Sequence, residues 1–131
     1  MGAAAASHAD LVFVTDDNPR SEDPANIRAA LMAGAVAEDQ SATRPRPERI
    51  HDIGDRAAAI RAAVALAGAG DTLVVLGKGH ESGQDIAGVV HPFDDRAVLR
   101  AALVEQAASS HGTVGHELGT TFTDVARGEV R

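Results

Sequence analysis

Residues 77–81 of this 131-residue chain are Gly77-Lys78-Gly79-His80-Glu81, directly after an apolar run at 72–76. A glycine-rich turn with a lysine invites a phosphate-binding reading, which the spacing refuses. A Walker A loop needs Gly-Lys followed by serine or threonine, and Lys78 is followed by Gly79. A dinucleotide fingerprint needs glycine or alanine three places after Gly79, where Ser82 stands. A zinc-protease His-Glu-x-x-His pattern needs histidine at the position held by Gln84. What remains is a turn that presents Lys78, His80 and Glu81 beside exposed backbone amides. Its glycines let a ligand approach the main chain, and Glu81 can pair with an ammonium. Taken alone, the same residues also suit an ordinary solvated strand-to-loop turn.

A second polar turn, Asp17-Asn18-Pro19-Arg20, follows another apolar run at 11–15. Arg20 carries a planar fork suited to a carboxylate, next to rigid Pro19. Asp17 adds an acceptor, and Asn18 adds both a donor and an acceptor. A proline turn whose charges are merely wet is the alternative. If both turns lie on one sheet edge, an arginine and a glutamate face one ligand with both signs of charge. That is the chemistry of a zwitterion site.

The elements around these turns must bring them together. Both apolar runs read as buried strands of a parallel sheet. Asp23 followed by Pro24 marks a helix start, with Ile27, Ala30, Leu31 and Gly34 at helical spacing. Residues 38–47, with Glu38, Asp39, Arg44, Pro45, Arg46 and Pro47, show no period and read as a surface loop. Residues 49–53 read as a short edge strand. Asp55 starts a second helix, with Ile60, Ala63, Val64 and Ala67 on one face and Gly68 and Gly70 at its end. Residues 84–91 read as a small extended excursion. Asp94 or Asp95 caps a third helix with Leu99, Ala102, Leu103 and Gln106 on one stripe. From Ser109 onward the pattern dissolves into a polar tail, read as disordered, and His111, His116 and Glu117 belong to it rather than to a metal site. Alternation of this kind predicts an α/β fold with a mostly parallel sheet, in which ligands gather beyond the carboxyl ends of strands.

Composition narrows the function. A net charge of −7 and a pI near 5.2 oppose a nucleic-acid or acidic-membrane partner, which would want a basic face. The absence of cysteine excludes a disulfide framework and a thiolate metal site, and it fits a cytoplasmic protein. The alanine run at 3–6 lacks a basic flank and is broken by Ser7, His8 and Asp10, so it makes a poor leader peptide.

The stretch from Thr15 through Asp17-Asn18-Pro19-Arg20 to Pro24 has Gly77-Lys78-Gly79-His80-Glu81 and Pro92-Phe93-Asp94-Asp95-Arg96 downstream. Together they resemble the C-terminal domain of the UDP-N-acetylmuramoyl-tripeptide synthetases of the Mur ligase family. The likeness runs from about Met1 to about Ala108. It implies a Rossmann-like three-layer domain over residues 1–108, N-terminally truncated and lacking its first strand, followed by a tail at 109–131. The Asp-Asn-Pro-Arg motif marks members that add meso-diaminopimelate rather than lysine. The resemblance makes Asp17, Asn18, Pro19, Arg20, Gly77 and Glu81 the contacts to diaminopimelate, with Lys78 and His80 in support, and assigns no catalytic residue to this chain. Arg20 would hold the carboxylate at the far end of the amino acid, and Glu81 would pair an ammonium. The whole enzyme would use ATP and Mg²⁺ to activate the D-glutamate side-chain carboxyl of UDP-MurNAc-L-Ala-D-Glu as an acyl phosphate. The amine of diaminopimelate would then attack to form an amide of the peptidoglycan precursor. The UDP-sugar and ATPase domains of that family have no counterpart in this sequence. The chain by itself is therefore expected to bind neither ATP nor Mg²⁺ and to catalyse nothing. A stand-alone diaminopimelate-binding module and an inactive remnant stay open beside the ligase reading.

Overall fold

The computed structural model describes residues 1–43, 45–78 and 81–109. Two parallel strands, β1 (Val12–Val14) and β2 (Ile50–Asp52), form the central sheet, with Val12 opposite Ile50, Phe13 opposite His51 and Val14 opposite Asp52. Parallel neighbours need a crossover of a dozen or more residues. Helix α2 (Pro24–Ser41) supplies it. Its start is built as the sequence predicts: the Asp23 side chain accepts from the Ala25 N–H, and Pro24 opens the first turn. Helix α3 (Arg56–Leu66) begins the same way, with Asp55 accepting from the Ala58 N–H.

Helix α1 (Gly2–His8) packs against α2 and β1, where the sequence offers only an alanine run. Small side chains let these two helices lie close. Ala6, Val12, Val14, Ala35 and Ile50 form the core between them, flanked by Ala5, Leu31, Met32 and Val36. On the sheet, the Phe13 and His51 rings stack with centroids 4.6 Å apart. The core is thin because so many of its members are alanine and valine.

The expected surface loop at 38–47 is partly wrong, and the reason is electrostatic. α2 continues through Asp39 to Ser41, and Asp39 is only 1% exposed. Its carboxylate accepts from Arg49 Nε at 2.7 Å and from the Arg46 N–H at 2.8 Å. The Arg49 guanidinium also donates to the carbonyls of Ala6 and Ala9, 2.7 Å and 2.6 Å away. One buried ion pair thereby ties α1, α2 and the entrance to β2. A pair ten residues apart leaves no periodic trace, so a pattern search passes over it.

The second departure is at 72–76. The run has the content of a buried strand, but it joins no ladder among the described residues, and Val74 and Leu76 are 68% and 71% exposed. Apolar, β-branched content supplies the propensity for a strand, not a neighbour in register. The Leu76 carbonyl is instead taken by Arg56 Nη2 at 2.9 Å.

The excursion at 84–91 is an antiparallel hairpin of β3 (Gly83–Ile86) and β4 (Val89–Pro92). Residues 95–109 form a further helix, α4, whose start is capped by Asp94, which accepts from the Arg96 N–H at 2.9 Å. Ala102 is buried on the expected stripe, whereas Leu103 faces solvent. The tail expected at 109–131 lies, apart from Ser109, outside the described residues, with His111, His116 and Glu117. The fold is α/β with a parallel sheet. No helix among the described residues is long and apolar enough to cross a membrane.

Candidate functional site

The loop carrying Asp17-Asn18-Pro19-Arg20 leaves the carboxyl end of β1 and is rooted before it turns. Thr15 Oγ1 and the Asp16 N–H both donate to the Gly54 carbonyl at 3.1 Å, extending the β1–β2 pairing by one step. The Asp16 carboxylate is bonded to Arg28 of α2, whose Nε also donates to Asp52 at 2.7 Å. Those bonds, first to Asp16 and then to Asp52, raise the guanidinium's pKa above its ordinary value. The first loop therefore stands on a charged post.

The second loop meets the first at Gly77. Its φ of +118° is a conformation that L side chains rarely adopt. A Cβ there would lie 2.8 Å from Asp17 Oδ2, so glycine is required by space as well as by backbone. The close neighbour that explains this glycine is the other loop's carboxylate.

Lys78 departs from its expected place. The turn does not present it to solvent; it points inward and is 3% exposed. Nζ donates to the Gly83 carbonyl at 2.6 Å and to Asn18 Oδ1 at 3.3 Å, and it lies 5.7 Å from the Phe93 ring centroid. Asp17 Oδ1 accepts no hydrogen bond among the described residues but faces this ammonium at 3.4 Å. Lys78 is an internal strut between the loops and the hairpin.

Asn18 is oriented by its partners. Oδ1 accepts from Lys78 Nζ and from the Asp85 N–H, the latter at 3.0 Å, so Nδ2 must carry the donors. It donates to Glu81 Oε2. The two motifs found in the sequence are thus joined side chain to side chain, across 63 residues of chain. Pro19 is buried, while Arg20 and Glu81 are exposed. The Arg20 guanidinium has no partner among the described residues. His80 lies outside the described residues.

Arg56 is the residue that motif reasoning misses. It sits at the start of α3, 3% exposed, on the inner face with Ile60 and Val64 at a spacing of four. That register is the signal from which it was legible. Its fork binds Asp95 of α4 through Nε and Nη2, each at 2.7 Å, and Nη1 reaches the Asp16 carbonyl at 3.4 Å. With Nη2 also on the Leu76 carbonyl, one guanidinium touches the residue before Asp17 and the residue before Gly77. Pairing with Asp95 raises its pKa against the opposing effect of burial. Arg56 sets the spacing of both loops.

Two surface clefts lie elsewhere. One, beside Ser7, Asp10, Glu38 and Arg46, encloses about 330 Å³; the other runs between α1 and α2. Neither is lined by a residue of the two motifs. The loops offer an exposed cation, Arg20, and an exposed anion, Glu81, on a fixed base.

These features define an α/β domain whose polar loops converge beyond the carboxyl end of its parallel strands. Comparison with known proteins is specific. Residues 1–79 match the glutamate ligase domain of the Mur ligases, and the chain belongs to that family. It is 58% identical over 106 residues to the UDP-N-acetylmuramoyl-L-alanyl-D-glutamate–2,6-diaminopimelate ligase of Corynebacterium glutamicum, covering 81% of this chain and 20% of that protein. It is 58% identical over 103 residues to the ligase of the same name from Caulobacter vibrioides, covering 79% and 19%. A solved structure of a ligase of that name superposes with a TM-score of 0.59 at 38% identity, over 79% of this chain and 20% of that one. The chain spans about a fifth of the length of these relatives.

Proposed function

We propose that residues 1–108 are the amino-acid-binding domain of a cytoplasmic ATP-dependent amide ligase that adds meso-diaminopimelate to UDP-MurNAc-L-Ala-D-Glu in peptidoglycan precursor synthesis. The observation that carries the reading is the joining of the two motif loops through Asn18 and Glu81, with the Arg20 guanidinium left open beside them. Diaminopimelate has an ammonium and a carboxylate at each end. In this reading Arg20 takes the far carboxylate in its fork, and Glu81, steered by Asn18, takes an ammonium. Asp17, Pro19 and Gly77 shape the seat, and Lys78 supports it from within; His80 is carried as a supporting residue on the sequence motif alone. The names of the relatives, at 58% identity, support this choice of ligand.

The domain's contribution to the reaction is orientation. Holding the attacking amine at a fixed place and angle lowers the entropic part of the barrier without any chemistry by the loops themselves. ATP and Mg²⁺ do not fit the residues at hand. The turn at 77–81 departs from a phosphate loop, and among the described residues no group of three His, Cys, Asp or Glu side chains can hold a metal. We assign both to the part of such an enzyme that this chain does not span. The open shelf of loops then needs a second wall from those domains, and closure over it would complete the site.

Titrating the chain with meso-diaminopimelate, followed by amide resonances, tests the reading. Shifts centred on Asn18, Arg20, Gly77 and Glu81 are expected; a folded chain that shows none at saturating amino acid overturns it. Incubation with ATP, Mg²⁺ and both substrates should give no turnover. Turnover above a buffer blank that is abolished by Lys78→Ala would contradict the division of labour.

A further inference from the structure

In the proposed reading ligand recognition turns on Arg20, and the backbone of that residue is strained. A φ of 54° lies in the left-handed region, which a residue with a Cβ avoids unless its surroundings impose it. The surroundings here are the hairpin at 83–92. The Arg20 N–H donates to the Asp85 carbonyl at 3.0 Å, and the Ala87 N–H donates to the Arg20 carbonyl at 2.8 Å, making a parallel bridge between Arg20 and Ile86. The Asp85 N–H reaches Asn18 Oδ1, and Lys78 grips the Gly83 carbonyl from the other loop. One edge of β3 is spent on β4, and the opposite edge clasps both ligand loops.

The hairpin's own shape depends on its turn. Ala87 and Gly88 connect the strands with φ of 53° and 80°, the signs that a two-residue type I′ turn demands. Asp85 Oδ1 accepts from the Gly88 N–H at 3.0 Å and steadies it. Alanine is a poor occupant of the first position, so the turn carries strain of its own.

We infer that the hairpin at 83–92 is the specificity-setting element of the site: by holding Arg20 in its left-handed backbone, it fixes the direction from which the guanidinium meets a carboxylate. The inference rests on the proposed ligand for its chemistry and on the backbone alone for its mechanics. A ligand with a second carboxylate gains from that fixed direction. Lysine, which lacks the group, gains nothing. Loosening the hairpin lets Arg20 return to an ordinary backbone conformation and swings its fork away.

Two turn substitutions outside the ligand contacts act in opposite directions. Gly88→Val strains the turn, and Ala87→Asn creates the Asn-Gly pair that type I′ turns favour. Dissociation constants for meso-diaminopimelate and L-lysine are measured by calorimetry on the 131-residue chain, with amide exchange at Arg20 and Ala87 followed by NMR. Gly88→Val should speed exchange at Arg20, leave β1 and α2 protected, and lower the diaminopimelate-to-lysine affinity ratio about tenfold, a change of about 1.4 kcal/mol. Ala87→Asn should slow exchange at Arg20 and keep or raise the ratio. An Arg20 amide released without a change in ratio overturns the specificity claim. Exchange at Arg20 that Ala87→Asn leaves unaltered overturns the clasp, even if Gly88→Val fails to fold. If the wild-type chain does not prefer diaminopimelate, the ligand reading and the specificity claim both fall. The exchange data alone then decide whether the hairpin holds Arg20.

Discussion

Around β1 and β2 the chain buries Ala6, Val12, Val14, Ala35 and Ile50 together, whereas from 71 to 92 it leaves Val74, Leu76, Val89 and Val90 in solvent. The first region is held by packing and one enclosed ion pair. The second is held by directional polar bonds: Arg56 on Asp95 and two loop carbonyls, Lys78 on Asn18 and Gly83, and the hairpin on Arg20. Packing stabilises without regard to direction, while a hydrogen bond contributes little net stability but fixes geometry. The division suits a binding domain, with a rigid base on one side and aimed side chains on the other. The exposed valines and Leu76 of the second region also suit the covering surface that the proposed reading calls for.

That contrast can be broken experimentally, beginning with the base. Asp39→Ala leaves Arg49 buried without its carboxylate and should cost about 3–5 kcal/mol of unfolding free energy. Urea denaturation measures it, and a loss near zero would show that the first region does not depend on the pair. On the site side, Arg56→Lys keeps the charge but loses the fork that spans both loops. The expected cost is smaller, about 1–3 kcal/mol. Its diagnostic is local: the amides of Asp17 and Gly77 should shift while those of β1 stay, and a uniform shift would blur the two regions into one. Asp55→Ala removes the cap of α3 and should cost about 1 kcal/mol.

The smallest effect concerns pH. The side-chain bond from Arg96, followed by its backbone N–H, holds the Asp94 carboxyl below the ordinary carboxylate range. A depressed carboxylate contributes stability that is present above its unfolded pKa and lost as pH falls through the folded one. The start of α4 should therefore hold until the solution is more acidic than an ordinary carboxylate requires, and then fray. Amide exchange at Arg96 across that range measures it. Fraying at the ordinary carboxylate pKa would contradict the assignment.

How much was legible in the sequence follows the same contrast. Asp23-Pro24 and Asp55 announce helix starts because capping is a local event between a side chain and an amide two or three residues on. The two motif loops are legible because glycine, proline and charge cluster there. The features that escape are long-range. Asp39 looks like a loop residue until Arg49 is placed beside it, and Lys78 looks solvated until Asn18 and Gly83 surround it. The run at 72–76 has the composition of a strand without a ladder partner. Nothing in the letters around Arg20 announces a left-handed backbone, because the cause is a hairpin more than sixty residues away. Sequence reasoning finds residues fit for the chemistry; the contacts that aim them are tertiary.

The central claim is that Arg20 reads the second carboxylate of meso-diaminopimelate. The direct measurement joins this domain to the remaining domains of a related ligase and compares kcat/KM for meso-diaminopimelate and L-lysine in wild type, Arg20→Ala and Arg20→Lys. Arg20→Ala should cost about 2–5 kcal/mol in diaminopimelate use, as when a desolvated charge pair loses one member. Lysine use should barely fall, so the preference itself shrinks, and Arg20→Lys should rescue little because an ammonium cannot reproduce the fork. An equal fall for both amino acids would mean that Arg20 supports the fold or its closure and does not read the substrate.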